Sequence, residues 1–284
     1  MSDKNENTTM DRDSKLHDIY LPERFTVRVI SHILANYLDN QHFFKPPLYL
    51  AIQGKAGEGK TTQVLATCKE KKIHVYYLSA SELSGVYESE SKSRLAKVYE
   101  QALSLRKKGK IICILIDDFH LGNSSIEKHR GKTINAELLI GYMMNLTEKS
   151  PDERIPIILT GNDFKDTYQP LLRDGRSDIF SWEPNFEEKV KIVESIFDPI
   201  LIEKEKKKIK SFVKKYSKKS ISFFAQLNGD LRRSVLSQVI KSYTTIDFKT
   251  ISSINESLKL HQITISELYQ LARKRIKNRV EAGL

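Results

Sequence analysis

The eight residues Gly54-Lys55-Ala56-Gly57-Glu58-Gly59-Lys60-Thr61 constrain this chain more than any other stretch. They satisfy G-x-x-x-x-G-K-[ST] at every fixed position. The apolar run LYLAIQ precedes them at 48–53, and a helical pattern follows at 61–70. A buried strand, a glycine-rich loop and a helix in that order curl backbone N–H groups around phosphate oxygens at a helix N-terminus. Glycines are needed because the chain must adopt backbone angles that a side chain resists. In this pattern Lys60 supplies a cation to the β- and γ-phosphates, the Thr61 hydroxyl ligates Mg²⁺, and Thr62 lies beside them in the first helical turn. The expected ligands are therefore ATP and Mg²⁺.

The rest of the first half repeats the alternation. Apolar runs recur as IHVYYL at 73–78, IICILI at 111–116 and IPIILT at 155–160, with helical patterns at 91–107 and 134–148. A fifth short strand is expected through DIFSW at 178–182. Strands without polar alternation are buried on both faces, which implies a parallel sheet with helices on each side. A helix is expected over 22–40, with Pro22 in its first turn and Phe25, Val29, Ile30, Ile33, Leu34 and Tyr37 on one side. After Pro184 almost everything reads as helix. The fold class is α/β: a P-loop AAA+ type module with a parallel five-stranded sheet flanked by helices, then a smaller all-helical lid. The expected division is a flexible polar tail at 1–20, an α/β nucleotide-binding subdomain at 21–184 and the lid at 185–284.

Acidic and basic residues cluster at strand ends and loops beyond the glycine motif. IICILI runs into Asp117-Asp118. Ligands bind at the carboxyl edge of such a sheet, so Asp117 is placed to hold the Mg²⁺ shell and Asp118 to polarise an attacking water. Asn162 ends the next strand, where it would orient that water between the γ-phosphate and Asp118; an Asn there is otherwise an ordinary turn residue. Arg173 and Arg176 follow, suited to an intersubunit arginine finger or, more plainly, to surface ion pairs. In Gly229-Asp230-Leu231-Arg232-Arg233, expected to open a helix, Arg232 could report the nucleotide state to the lid, with Arg233 as the alternative.

Composition narrows the partners. No apolar stretch of the 284 residues is long enough to cross a bilayer, so no membrane partner is expected. The start is polar and carries Asp3, Glu6, Asp11 and Asp13, unlike a secretion or transit signal. The two cysteines, Cys68 and Cys113, make no disulfide framework, and a reducing cytoplasm is the expected location. A net charge of +11 suits an acidic partner, nucleic acid included. Much of the excess lies at 201–219, where Ile202, Ile209, Phe212, Val213 and Tyr216 recur at helical spacing. The lysines there fill the outer face of an amphipathic helix, and a solvated face is the preferred reading.

Four segments carry a family resemblance. LTGNDFKDTYQPLLRDGRSDIFSWEP at 159–184, SASELSGVYESESKSRLAKVYEQA at 79–102, YLPERF at 20–25 and ITISELYQLARKRIKNRV at 263–280 resemble the Rubisco activase branch of the AAA+ ATPases. The resemblance implies a homo-oligomeric ring, a hexamer, with ATP at subunit interfaces and a protein client, Rubisco, freed of inhibitory sugar phosphates. It carries phosphate and metal roles onto Lys60, Thr61, Asp117, Asp118 and Asn162, and finger roles onto Arg173 and Arg176. It makes Gly85-Val86-Tyr87 a candidate pore loop, with Tyr87 gripping the client. Two alternatives stay open: another protein client, or a nucleic-acid-handling ATPase, since GDLRR is similar to clamp-loader ATPases.

Overall fold

A computed structural model describes residues 19–38, 45–83, 90–119, 134–164, 169–243, 247–281 and 283. The chain divides into two compact units, Leu21–Glu183 and Pro184–Leu284, with Tyr20 joining the second.

In the first unit five strands form one parallel sheet: β1 (Tyr49–Gln53), β2 (His74–Ser79), β3 (Ile112–Asp117), β4 (Ile157–Gly161) and β5 (Ser177–Ser181). Their order is β2-β3-β4-β1-β5, so β4 is central, β1 lies between it and the edge strand β5, and every strand points the same way. The expected runs all become strands, each shifted by a residue or so at its ends. Helices α1 (Glu23–Ala35), α2 (Lys60–Glu70), α3 (Glu90–Lys107) and α4 (Ile134–Leu146) flank the sheet. Alternate residues choose the face. Tyr49, Ala51, Ile114, Ile116, Ile157 and Leu159 bury against Leu95, Val98 and Tyr99 of α3 and Met143 of α4. Phe25 of α1 packs edge-on against Trp182, ring centroids 4.8 Å apart, and Cys68 of α2 lies 3.8 Å from Cys113 of β3, Sγ to Sγ. Both thiols are free and fully buried.

The helix expected over 22–40 ends earlier, at Ala35, where the amide N–H groups of Asn36 and Tyr37 turn back onto Ile33 and Leu34. Asn36 then serves a buried cation. Arg154, 1% exposed, donates to Asn36 Oδ1 at 3.1 Å, to the Thr147 carbonyl at 3.1 Å and to the Pro46 carbonyl at 2.6 Å. Its guanidinium is thus satisfied by neutral oxygens that tie α1, the entry to β1 and the exit of α4 together.

The second unit holds α5 (Phe186–Phe197), α6 (Ile209–Lys215), α7 (Ile221–Val239), α8 (Phe248–Leu260) and α9 (Ile265–Glu281). Asn185 and Glu188 form a capping box at the start of α5, satisfying two otherwise unpaired N–H groups. Phe212 centres an aromatic cluster, its ring centroid 5.0 Å from Tyr269, 5.1 Å from Tyr216 and 5.9 Å from Phe224. The single amphipathic helix expected at 201–219 is corrected: Glu203–Lys208 is a 3-10 helix and only Ile209–Lys215 is α-helical. Ile209, Phe212, Val213 and Tyr216 bury as expected and Ile202 is half-buried, while Lys206, Lys208 and Lys210 pair with Asp198, Glu205 and Glu187. The GDLRR element does not open a helix; it lies in the middle of α7. Its Leu231 faces the core, and a helix interior tolerates one glycine when neighbouring apolar residues pack well. Among the described residues no helix is long and apolar enough to cross a membrane.

His32 offers a pH test of this packing. Burial drives its pKa from 6.5 down to about 3, and Arg28 and Arg154 push the same way against backbone hydrogen bonds. The unfolded imidazole binds its proton first as pH falls, so stability should decline below pH 6.5 and stop declining near pH 3. Chemical denaturation should show His32 costing about 2 kcal/mol between pH 7 and pH 5. His32→Gln, which cannot titrate there, should flatten the profile by that amount; an unchanged slope would mean the imidazole is not held neutral.

Candidate nucleotide-binding site

The site forms where β1, β3 and β4 end together. After Gln53 the chain turns at Gly54, whose φ is +152°. A Cβ built there would lie 2.1 Å from the Trp182 carbonyl oxygen, so only glycine fits beside β5. Gly57 and Gly59 have φ values of +78° and +79°, in the left-handed region. Lys55, Ala56 and Gly57 are exposed at the crest of the loop, while Glu58 is buried and its carbonyl accepts from Trp182 Nε1 at 2.8 Å. The loop is therefore anchored to the sheet edge from beneath.

Lys60 opens α2 and turns its ammonium into the loop. Nζ donates to the Gly54 carbonyl at 2.7 Å and the Lys55 carbonyl at 3.0 Å, with Asn162 Oδ1 at 3.4 Å. Burial lowers its pKa, opposed by the charges of Asp118, Asp117 and Glu58. An ammonium already stripped of much of its water and held by weak acceptors can transfer to phosphate oxygens at small desolvation cost.

Asp117 is the most heavily bonded group of the site. Oδ1 accepts from Thr61 Oγ1 and Thr160 Oγ1, each at 2.5 Å, and from the Asp118 N–H at 3.1 Å. Oδ2 accepts from the Tyr77 hydroxyl at 2.8 Å. Strand register explains the gathering. Ile116 pairs with Leu159, which sets Asp117 beside Thr160, and Ser79 pairs with Asp117, which sets Tyr77 on its diagonal. The next residue, Asp118, is exposed with φ +54°, and Phe119 is pinned by its N–H on the Thr160 carbonyl at 2.9 Å.

Lys60, Thr61, Asp117 and Asn162 thus meet at the carboxyl edge, and Asp118 stands next to them in the chain. Thr62 is exposed one residue beyond. Arg173 and Arg176 do not join this group. The Arg176 carbonyl accepts from the Tyr49 N–H at the start of β1, and its guanidinium donates to the Pro170 carbonyl at 2.7 Å, at the opposite edge of the sheet. Arg173 is exposed in the same turn. Arg232 lies on α7 of the second unit, bonded to Asn228 Oδ1 at 3.2 Å, and Arg233 pairs with Asp230. Gly85, Val86 and Tyr87 lie outside the described residues.

The donor set fits a nucleotide with its magnesium. A threonine hydroxyl and one carboxylate are hard oxygen ligands of the kind Mg²⁺ accepts alongside phosphate oxygens and water. Among the described residues no cluster of three or more His, Cys, Asp or Glu could hold a metal without such help. Sequence reasoning missed Tyr77, Thr160 and Trp182. The polar Tyr77 and Thr160 within apolar runs were the signal, but only strand register shows that both reach Asp117.

The fold and this strand-end geometry are those of an AAA+ nucleotide-binding module. A family model for the ATPase family associated with various cellular activities (AAA) matches residues 50–185. The chain carries an AAA ATPase domain and is related to the Rubisco activases at moderate identity. It is 34% identical over 224 residues to the ribulose bisphosphate carboxylase/oxygenase activase of a Nostoc species, covering 74% of this chain and 53% of that protein. Against the activase of an Anabaena species it is 30% identical over 270 residues, covering 89% of this chain and 64% of the relative. The chloroplastic activase of Arabidopsis thaliana is 30% identical over 243 residues, covering 81% of this chain and 50% of that protein. The chain therefore spans between half and two thirds of these relatives' lengths.

Tyr77 gives this geometry a test. Tyr77→Phe keeps the ring and removes the donor to Asp117 Oδ2. Binding of a fluorescent ADP analogue, titrated with Mg²⁺, should then need about tenfold more metal, as for other groups that orient a metal ligand. Metal-free nucleotide binding should stay as in the parent chain. An unaltered Mg²⁺ midpoint would leave the Tyr77 hydroxyl without a role at the site.

Proposed function

We propose that the chain binds Mg²⁺-ATP at the carboxyl edge of its sheet and hydrolyses it within a ring of like subunits to remodel a protein client. The observation that carries this is the convergence of Lys60, Thr61, Asp117 and Asn162 on one strand-end crevice. In this reading the loop amides and Lys60 hold the β- and γ-phosphates. The Thr61 hydroxyl, whose proton now goes to Asp117, turns its lone pairs outward, and Asp117 supports the metal shell directly or through water. Bound Mg²⁺ would offset charge on the phosphate oxygens. Asp118 polarises the attacking water and Asn162 orients it.

The ring reading rests on where Arg173 and Arg176 lie. An arginine that stabilises the transferring phosphoryl group is worth several orders of magnitude in rate. Arg173 and Arg176 lie beside the start of β1, at the edge away from their own loop, so in this reading they serve the site of a neighbour. Mixing Arg173→Ala or Arg176→Ala subunits with Lys60→Ala subunits should restore part of the ATPase that each variant alone loses, because some interfaces regain both an intact loop and an intact finger. No recovery at any ratio, in assemblies shown to exchange subunits, would remove the intersubunit role.

For the client, the reading takes Rubisco, which the relatives' names point to. Recovery of carboxylation by a sugar-phosphate-inhibited Rubisco should be faster with the protein and ATP than spontaneous release, and Asp118→Asn should abolish the gain. Recovery at the spontaneous rate would replace Rubisco by a different protein client and leave the ATPase reading in place.

A further inference from the structure

The second unit carries a basic groove that no part of the nucleotide reading uses. It lies between α7 and α9 and has a volume of about 740 Å³. On α7 the residues Ser222, Gln226, Ser234 and Ser237 recur along one face, so the groove runs for about 22 Å at the helical rise per residue. On α9 Leu271, Lys274, Arg275, Asn278 and Arg279 follow the same i, i+3, i+4 logic. Arg233, Lys274, Arg275 and Arg279 contribute four cations, while Asp230 is the one acid among the described lining residues. That acid is already shared: Arg275 Nη1 lies 2.6 Å from Asp230 Oδ2 and Arg233 pairs with Oδ1. Lys274 and Arg279 are exposed, and neither has an ion-pair partner among the described residues.

We infer that this groove binds the phosphate backbone of duplex nucleic acid without reading its sequence. Guanidinium, ammonium, hydroxyl and amide donors are the groups that contact phosphate and sugar. Among the described residues the lining has no aromatic side chain on which an unpaired base could stack, which disfavours single strands. Its one aliphatic residue, Leu271, packs into the core of the unit. A protein partner would need buried apolar or aromatic anchors, and the groove offers none. Long-range attraction from a chain of net charge +11 would add to the encounter. The proposal is independent of which protein the ATPase acts on.

The test uses the full chain and a short labelled DNA duplex of arbitrary sequence, followed by fluorescence anisotropy. Three net cations give an expected log–log salt slope of about −3. Lys274→Glu with Arg279→Glu takes the groove from three net cations to one net acid, so binding should weaken at least tenfold and the salt slope should fall to near zero, with ATPase and thermal melting unchanged. Lys92→Glu with Lys97→Glu on α3 of the first unit changes net charge by the same amount outside the groove lining and should bind as the parent does. Equal loss in both double variants would replace the groove by diffuse charge and overturn the proposal. So would displacement of the duplex by polyglutamate at equal charge concentration, which would mark the groove as a seat for acidic protein. Absence of duplex binding at low salt would also overturn it.

Discussion

The Asp117 carboxylate is the interaction on which the first unit depends. It draws one hydroxyl from β2, one from α2 and one from β4, and a backbone amide from the residue that follows it. A carboxylate has about four lone-pair sites, and here three donors crowd Oδ1 while one reaches Oδ2. Charge-assisted bonds of this type are roughly twice as strong as neutral ones. Three strands and a helix are therefore held at one point by a charge that would be costly to leave unpaired at a sheet edge. The consequence for function is direct: the group proposed to support the metal is fixed before any ligand arrives, and its donors limit where it can move.

Two other contacts set the height of the phosphate loop over that carboxylate. Gly54 lets the loop pass against the Trp182 backbone, and Trp182 in turn holds the Glu58 carbonyl, so both ends of the loop are tied to the residue that follows β5. At the opposite edge the buried Arg154 binds neutral oxygens of three segments. Arginine stays charged in such a place because its fork of donors can be fully paired without a counter-ion. The sheet is thus closed by a carboxylate at one end and a guanidinium at the other, with uniformly apolar strands between.

Sequence made this architecture legible because the strands are apolar on both faces and the glycine loop has a fixed grammar. LYLAIQ, IICILI and IPIILT could be little else, and helices with ordinary spacing follow the first two. The reading failed where the determining fact was not local. Lysines at 201–219 followed an apolar period, yet the backbone begins as a 3-10 helix, which shares the three-residue spacing closely enough to be mistaken for an α-helix over one turn. GDLRR looked like a helix start because glycine and aspartate favour such positions, whereas packing of Leu227, Leu231 and Val235 carries α7 straight through it. Tyr77 and Thr160 gain meaning only from register, and the finger role proposed for Arg173 and Arg176 only from the edge of the sheet on which they lie.

The identity of the second acid also has a backbone origin. Many AAA+ ATPases carry glutamate where this chain has Asp118. Here the residue is at φ +54°, in the left-handed region, which aspartate and asparagine enter more readily than longer side chains. Such a conformation costs on the order of 1–2 kcal/mol and persists only when its neighbours over-determine it. They do: the Asp118 N–H is bound by Asp117 Oδ1, and Phe119 is buried and hydrogen-bonded to Thr160. The bend turns the chain away from the strand line immediately after Asp117, and the Asp118 charge acts on the Lys60 ammonium from there. The local strain is set against the same Asp117 and Thr160 contacts that hold the strand ends together.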